Sequence, residues 1–170
     1  PYHQRDWQNR RIKILVEGDS SSEYKRVDES FKITNKLDAD KYEVSYLSYN
    51  AAPKDWYRVD HTYIKIPSNE VGHDILVKSS VLESFSYPPL EILATGGLPI
   101  LVKNDGNAEY IVDGENAIYY DIKDIDGAVQ RIEEITANSD EYHRLTQNGR
   151  TTAEKRSWDK LSRKILALYE

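Results

Sequence analysis

The sequence predicts an α/β domain with a Rossmann-like parallel sheet and helices on both faces. Three observations carry that prediction. Short apolar runs at residues 12–16, 74–78 and 98–102 are rich in Ile, Leu and Val, as parallel strands buried on both faces are. Segments with apolar residues three and four apart lie between or after them. Strand and helix alternate along most of the chain, which favours right-handed crossovers within one sheet.

Each element has a local reason. The first strand, 12–16 (IKILV), closes at Glu17 and Gly18. Residues 19–23 form a Ser-rich loop, and Val27, Phe31, Ile33 and Leu37 mark a helix from Lys25 to about Leu37. Residues 42–47 alternate as a second strand, and 63–66 form a third, stopped by Pro67. Residues 74–78 are the fourth. After a loop over 81–87, Pro88 and Pro89 open a helix, where a missing N–H costs nothing, and Gly96-Gly97 ends it. A fifth strand at 98–102 precedes a short helix at 107–111, an Asp113-Gly114 turn and a sixth strand at 117–120. Asp124 caps a helix with Ile125, Ala128, Val129, Ile132 and Ile135 on one face. A further helix over 140–148 is expected to close at Gly149, before a capping-box pattern at 151–154. Trp158, Leu161, Ile165 and Leu168 make a last apolar stripe, read as packing. The chain thus divides into an extension at 1–11, a domain at 12–156 and a C-terminal helix at 157–170.

Composition narrows the function. The 170 residues suit one domain of the ordinary size of about 100–150 residues. Net charge is −6, so a phosphate backbone is not the expected partner, and nucleic acid is set aside. The chain has no Cys, which removes disulfides, thiolate catalysis and cysteine-held metals. His3, His61, His73 and His143 have no metal-ligand spacing, so no metal is expected. No run is long and apolar enough to span a membrane, and the first residues, PYHQRDWQNRR, lack a signal-peptide core. Neither GxxxxGK[ST] nor GxGxxG occurs, and no Ser sits in a G-x-S-x-G elbow. The 13 Tyr against 2 Phe are read mostly as half-buried strand and helix positions.

Two loops at carboxyl ends of strands carry candidate chemistry. The first holds Gly18 and then Lys25 and Arg26 at a helix start, where N–H groups and two cations suit a phosphate. A solvated pair at an exposed helix end would look the same. The second is Glu83-Ser-Phe-Ser-Tyr-Pro-Pro-Leu-Glu91. A carboxylate can accept two hydroxyl protons from a sugar or ribose, in charge-assisted bonds of about 1.5–3 kcal/mol each. The helix opening between the two glutamates supplies amides for a diphosphate. Hydroxyl acceptors beside phosphate donors match a nucleotide sugar. The bland alternative is a glutamate favouring the helix dipole and another in water. A hydrolase acid/base pair would need an aromatic cleft from several strands, which nothing supports.

Those residues also resemble a known family. Glu83 to Glu91, followed by Ile-Leu-Ala-Thr-Gly96-Gly97-Leu-Pro-Ile100, resembles the E-x7-E segment of retaining GT-B glycosyltransferases, in the glycosyl transferases group 1 family. The run Gly106-Asn-Ala-Glu109-Tyr110-Ile-Val-Asp113-Gly114-Glu-Asn116-Ala is similar to that family's next segment, and Ser157-Trp158 and Leu168-Tyr169 fit its ending. The resemblance implies one half of a GT-B fold, the nucleotide-sugar-binding half, with the acceptor site on an N-terminal domain. The final helix would cross back to that domain. It implies that Glu91 binds ribose hydroxyls, and that Glu83 binds sugar hydroxyls near the reacting carbon. Backbone amides of Phe85, Ser86 and Tyr87 would meet sugar and diphosphate, with Leu90 beside the ribose and Ile66 and Pro67 near the base. Lys25 matches the diphosphate-binding lysine. No cofactor, metal or general base is implied for this half. The family's Arg six positions before that lysine is Asp19 here, which puts the two-cation clamp in doubt, with Arg26 as a substitute. Where Ser86 stands the family often has Gly. The match to bacterial polysaccharide-assembly, rhamnosyltransferase-like members implies a dTDP- or UDP-sugar and a cytoplasmic or inner-membrane-face location. Two rivals remain: a GT-B nucleotide-sugar epimerase, and a non-catalytic nucleotide-sugar-binding module.

Overall fold

Chain order and sheet order differ, and that difference places the site. The computed structural model describes residues 7, 9–56, 58, 62–64 and 72–169. Its strands are β1 (Ile12–Glu17), β2 (Tyr42–Leu47), β3 (Thr62–Ile64), β4 (Ile75–Lys78), β5 (Leu98–Leu101) and β6 (Ile118–Tyr119). They form one parallel sheet in the order β3-β2-β1-β4-β5-β6. The chain builds outward from β1 to β3, then returns to start again at β4 on the other side of β1. This reversal leaves a crevice beyond the carboxyl ends of β1 and β4, where open parallel sheets bind ligands.

The helices are α1 (Val27–Thr34), α2 (Tyr87–Thr95), α3 (Asp105–Ala108), α4 (Ile125–Ala137), α5 (Ser139–Lys155) and α6 (Trp158–Leu166). Strand alternation divides the core between the two faces. Ile12, Ile14 and Val16 pack with Val27, Phe31 and Ile33 of α1 and with Ala128, Ile132 and Ile135 of α4. Leu15 and Leu76 point to the other face, against Ile92 of α2. Leu93 and Leu101 meet Ala153 of α5 there. Each Val, Leu, Ile or Phe among them contributes about 1.5–3 kcal/mol on burial. The segment ahead of β1 is docked as well. Arg10 forks onto Asp74 at 2.6 and 2.9 Å, and the Trp7 ring meets Tyr142 edge-on at 4.7 Å.

Several expected boundaries move, each for a packing reason. The break at Gly149 does not occur, because α5 runs through it to Lys155. A Cβ at Gly149 would collide with the Leu93 side chain, so this glycine lets α5 close on α2 rather than ending a helix. The pattern at 151–154 is therefore helix interior and not a cap. Lys25 does not begin α1. It ends a 3-10 turn, Glu23–Lys25, and Arg26 follows in a left-handed conformation with φ 46°. The short helix after β5 starts earlier, at Asp105, because Asn104 caps it: the side chains of Asn104 and Asn107 each accept from the other's main-chain N–H. Trp158 is 73% exposed, and Leu161, Ile165 and Leu168 are exposed too, so the last stripe is not core in this chain. None of the described helices is long and apolar enough to cross a membrane.

Candidate functional site

Both candidate loops converge on the crevice between β1 and β4. The first leaves β1 through Gly18, whose φ of +140° favours glycine. Tyr46 donates its hydroxyl proton to the Gly18 carbonyl at 2.7 Å, and the Gly18 N–H bonds Leu47 O. Asp19 then serves the loop. Its Oδ1 accepts from the Ser21 N–H at 2.9 Å, the Ser21 hydroxyl at 2.7 Å and the Asn50 amide at 3.1 Å. Those Ser21 bonds, chiefly, hold its carboxyl below the usual range. The expected arginine position thus carries a loop-capping carboxylate.

The second loop leaves β4 and is tied to the first by the main chain. The Val81 N–H donates to Tyr24 O at 2.9 Å, next to Lys25. Lys25 reaches Glu83, with Nζ 2.7 Å from Oε1. The same oxygen lies 2.9 Å from Nζ of Lys78, the last residue of β4, which also pairs with Glu17 at the end of β1. Lys78 is 2% exposed on its side chain and Glu83 11%, against 26% for Lys25. Burial raises the Glu83 carboxyl. The charge of Lys78 and the bonds from both lysines outweigh that and hold it below its ordinary value.

Glu83 is held from behind by α3. A Cβ at Gly106 would stand 2.5 Å from the Glu83 carbonyl oxygen and 2.8 Å from its Cβ, so only glycine allows this approach. Asn104 donates to Ser80 O at 2.9 Å, and Tyr119 donates to Asn107 Oδ1 at 2.9 Å. Beneath the crevice, hydroxyls of Ser30, Ser79 and Tyr120 form a buried chain at 2.7 and 2.6 Å. These bonds rigidify the carboxyl edge.

Next comes the opening of α2. Ser86 takes the left-handed conformation at φ 60°, ψ 69°, and its carbonyl accepts from the Tyr110 hydroxyl. Burial pushes that phenol well up, so it stays a donor. The Ser86 and Ser80 hydroxyls are buried with no partner among the described residues. Phe85 packs between the Tyr87 and Tyr110 rings, at 5.0 and 5.3 Å. Tyr87 and Glu91 are exposed and Leu90 half-buried, all on the first turns of α2. The free N–H groups of this helix end make a positive rim beside Glu83.

The structure therefore brings together Gly18, Lys25, Glu83, Phe85, Ser86 and Tyr87, with Leu90 and Glu91 along α2. Arg26 is not available as the substitute cation, since its guanidinium is engaged by Glu29, 3% exposed, in a pair at the start of α1. Ile66 and Pro67 lie outside the described residues. Two residues that sequence reasoning did not single out belong here: Lys78, whose signal was a charge ending an otherwise apolar strand, and Gly106. Among the described residues no three His, Asp or Glu converge as metal ligands. A cavity of about 300 Å³ lined by Asp113, Arg131, Glu134 and Asn138 sits at the opposite, amino edge of the sheet, away from these groups.

Comparison with known proteins agrees with this geometry. Residues 61–152 match the family model described as glycosyl transferases group 1. The chain belongs to that family, and its fold is one half of the GT-B architecture. A curated relative is the lipopolysaccharide core biosynthesis glycosyltransferase LpsE of Rhizobium meliloti (strain 1021). It is 33% identical over 79 residues, which is 46% of this chain and 23% of LpsE. A glycosyltransferase from Rickettsia africae ESF-5 superposes with a TM-score of 0.78 at 16% identity, over 93% of this chain and 47% of that one. HepE from Anabaena, solved in complex with UDP-glucose, gives 0.72 at 11% identity, over 85% of this chain and 44% of that one. The chain thus spans about half the length of these solved neighbours and about a quarter of LpsE.

Proposed function

We propose that this chain is the donor-binding half of a retaining glycosyltransferase, which moves a sugar from a nucleotide diphosphate to an acceptor hydroxyl in glycan assembly. The observation that carries the reading is the convergence of Lys25 and Glu83 at the β1/β4 crevice, beside the open end of α2. In this reading Lys25 and the amides of Phe85, Ser86 and Tyr87 meet the diphosphate. Glu83 accepts hydroxyls of the sugar near its reacting carbon. Both lysines lie on Oε1 of Glu83, which leaves Oε2 to accept them. Glu91 takes the two ribose hydroxyls, with Leu90 beside the ribose and Ile66 and Pro67 near the base. The departing diphosphate gains charge as the glycosidic bond breaks, and donors already aimed at that charge stabilise it without reorganising. No metal is needed in this assignment, and no general base comes from this half.

The acceptor site is assigned to an N-terminal partner domain, onto which the exposed apolar stripe of α6 would pack. The bound UDP-glucose of HepE and the lipopolysaccharide role of LpsE support a nucleotide sugar and a bacterial surface glycan. A cytoplasmic site, at the inner face of the membrane, fits such a substrate. One observation favours a second reading, a nucleotide-sugar-binding module without transfer: Asp19 stands where a cation is expected, and Arg26 does not replace it.

Calorimetric titration with UDP, dTDP, GDP and ADP tests the site. One nucleotide should bind with a Kd of about 0.1–1 mM. Glu91→Ala should weaken it about tenfold or more, from loss of charge-assisted hydroxyl bonds. Equal binding by the variant, or no binding by either this chain or the full-length protein, would contradict the assignment.

A further inference from the structure

Glu83 draws two cations, and one of them, Lys78, it shares with Glu17. Two ammonium groups sit on a single carboxylate oxygen, Lys25 at 2.7 Å and Lys78 at 2.9 Å. They repel each other, so either is more easily removed than a lone partner would be. They are not equivalent. Lys78 is sealed under the crevice at the end of β4, with Glu17 as its second partner, whereas Lys25 is 26% exposed on its side chain against 2% for Lys78 and sits on a short turn. Arg26 is paired with Glu29, and position 19 holds a carboxylate bonded to Ser21.

We infer that Lys78 is the fixed counter-ion of Glu83, so that Lys25 can leave that carboxylate for the diphosphate of an incoming nucleotide. Lys78 is a positioning residue in this scheme and touches no ligand. It keeps Glu83 charged and in place while Lys25 swings to the anion. Loss of the Lys25 contact relieves the repulsion between the two ammonium groups, and Glu83 keeps Lys78 as its partner while the anion gains Lys25. Without Lys78, the same Glu83 would hold Lys25 back and compete with phosphate for it. This rests on the donor-site reading above and adds the one residue that makes a single phosphate lysine sufficient with Asp19 in place.

The test uses whichever of UDP, dTDP, GDP and ADP the chain binds best. Lys78→Met should weaken that nucleotide about tenfold, a size common for directly coupled side chains. Adding Glu83→Gln to Lys78→Met removes the competing charge and should recover most of the loss. Glu83→Gln alone, with Lys78 in place, should tighten nucleoside diphosphate binding by clearly less than it does in the Lys78→Met background. Lys78→Arg keeps the charge and should bind within about twofold of the parent. A loss that Glu83→Gln does not relieve, unchanged binding by Lys78→Met, or as large a gain from Glu83→Gln alone as in the Lys78→Met background overturns this inference and leaves the donor site standing. Failure of both this chain and the full-length protein to bind any of the four nucleotides removes the donor site itself.

Discussion

At the scale of single residues, the account turns on Glu83. It is a nearly buried carboxylate kept charged by two lysines against a burial penalty that favours the neutral acid. Its folded value lies below its ordinary one of 4.5, so the folded state favours the ionised form. The linked stability is fully present above about pH 4.5 and is lost as pH falls through the lower, folded value. Denaturation midpoints followed from pH 6 to 3 should therefore fall more steeply for the parent chain than for Glu83→Gln. Parallel profiles would mean that Glu83 is not held ionised by its lysines. Glu83, Glu91 and Lys25 were all legible in the sequence, because their spacing within one loop and one helix start is local information. Lys78 was not. Its partner Glu17 lies on another strand, and their meeting depends on the β1/β4 register, in which Val16 pairs with Val77. Arg26 looked equivalent to Lys25 until the left-handed turn at φ 46° directed it to Glu29.

At the scale of elements, the site is a loop pressed between two neighbours. The 3-10 turn holds it through Tyr24 O, and α3 holds it through Gly106. Gly106→Ala would push a methyl group against the Glu83 main chain, where no flexible side chain can yield. We expect a stability loss of about 1–3 kcal/mol, as for other overpacked contacts. Nucleotide-sugar binding should fall further than binding of the bare nucleoside diphosphate, since the proposed function makes Glu83 the sugar contact. Thermal unfolding and paired titrations measure both. Equal stability and equal sugar affinity would show that α3 does not position Glu83. The elements themselves were largely readable. Buried parallel strands and proline-led or Asp-capped helices carry their signals within a few residues. The boundaries that moved were those set by neighbours. Gly149 is a packing glycine inside α5 because Leu93 of α2 lies against it, and the periodicity of one helix does not reveal that.

At the scale of the molecule, strand order makes the crevice and leaves its other side open. The reversal at β1/β4 gathers Gly18, Lys25, Lys78 and Glu83 from segments far apart in the chain. An exposed apolar stripe on α6 and a chain half the length of its solved neighbours fit a site completed by a second domain. Sequence patterning predicted the parallel sheet and its helices. It misread the α6 stripe as packing within this chain, because an apolar face looks the same whether its partner is internal or on another domain. The central claim is that nucleotide binds at the carboxyl edge. Amide chemical-shift mapping, with the best-bound of the four nucleoside diphosphates titrated into the labelled chain, tests it most directly. The account predicts the largest shifts at Gly18, Lys25, Ser86, Tyr87 and Glu91. Shifts centred instead on Arg131, Glu134 and Asn138, around the cavity at the amino edge, would contradict it.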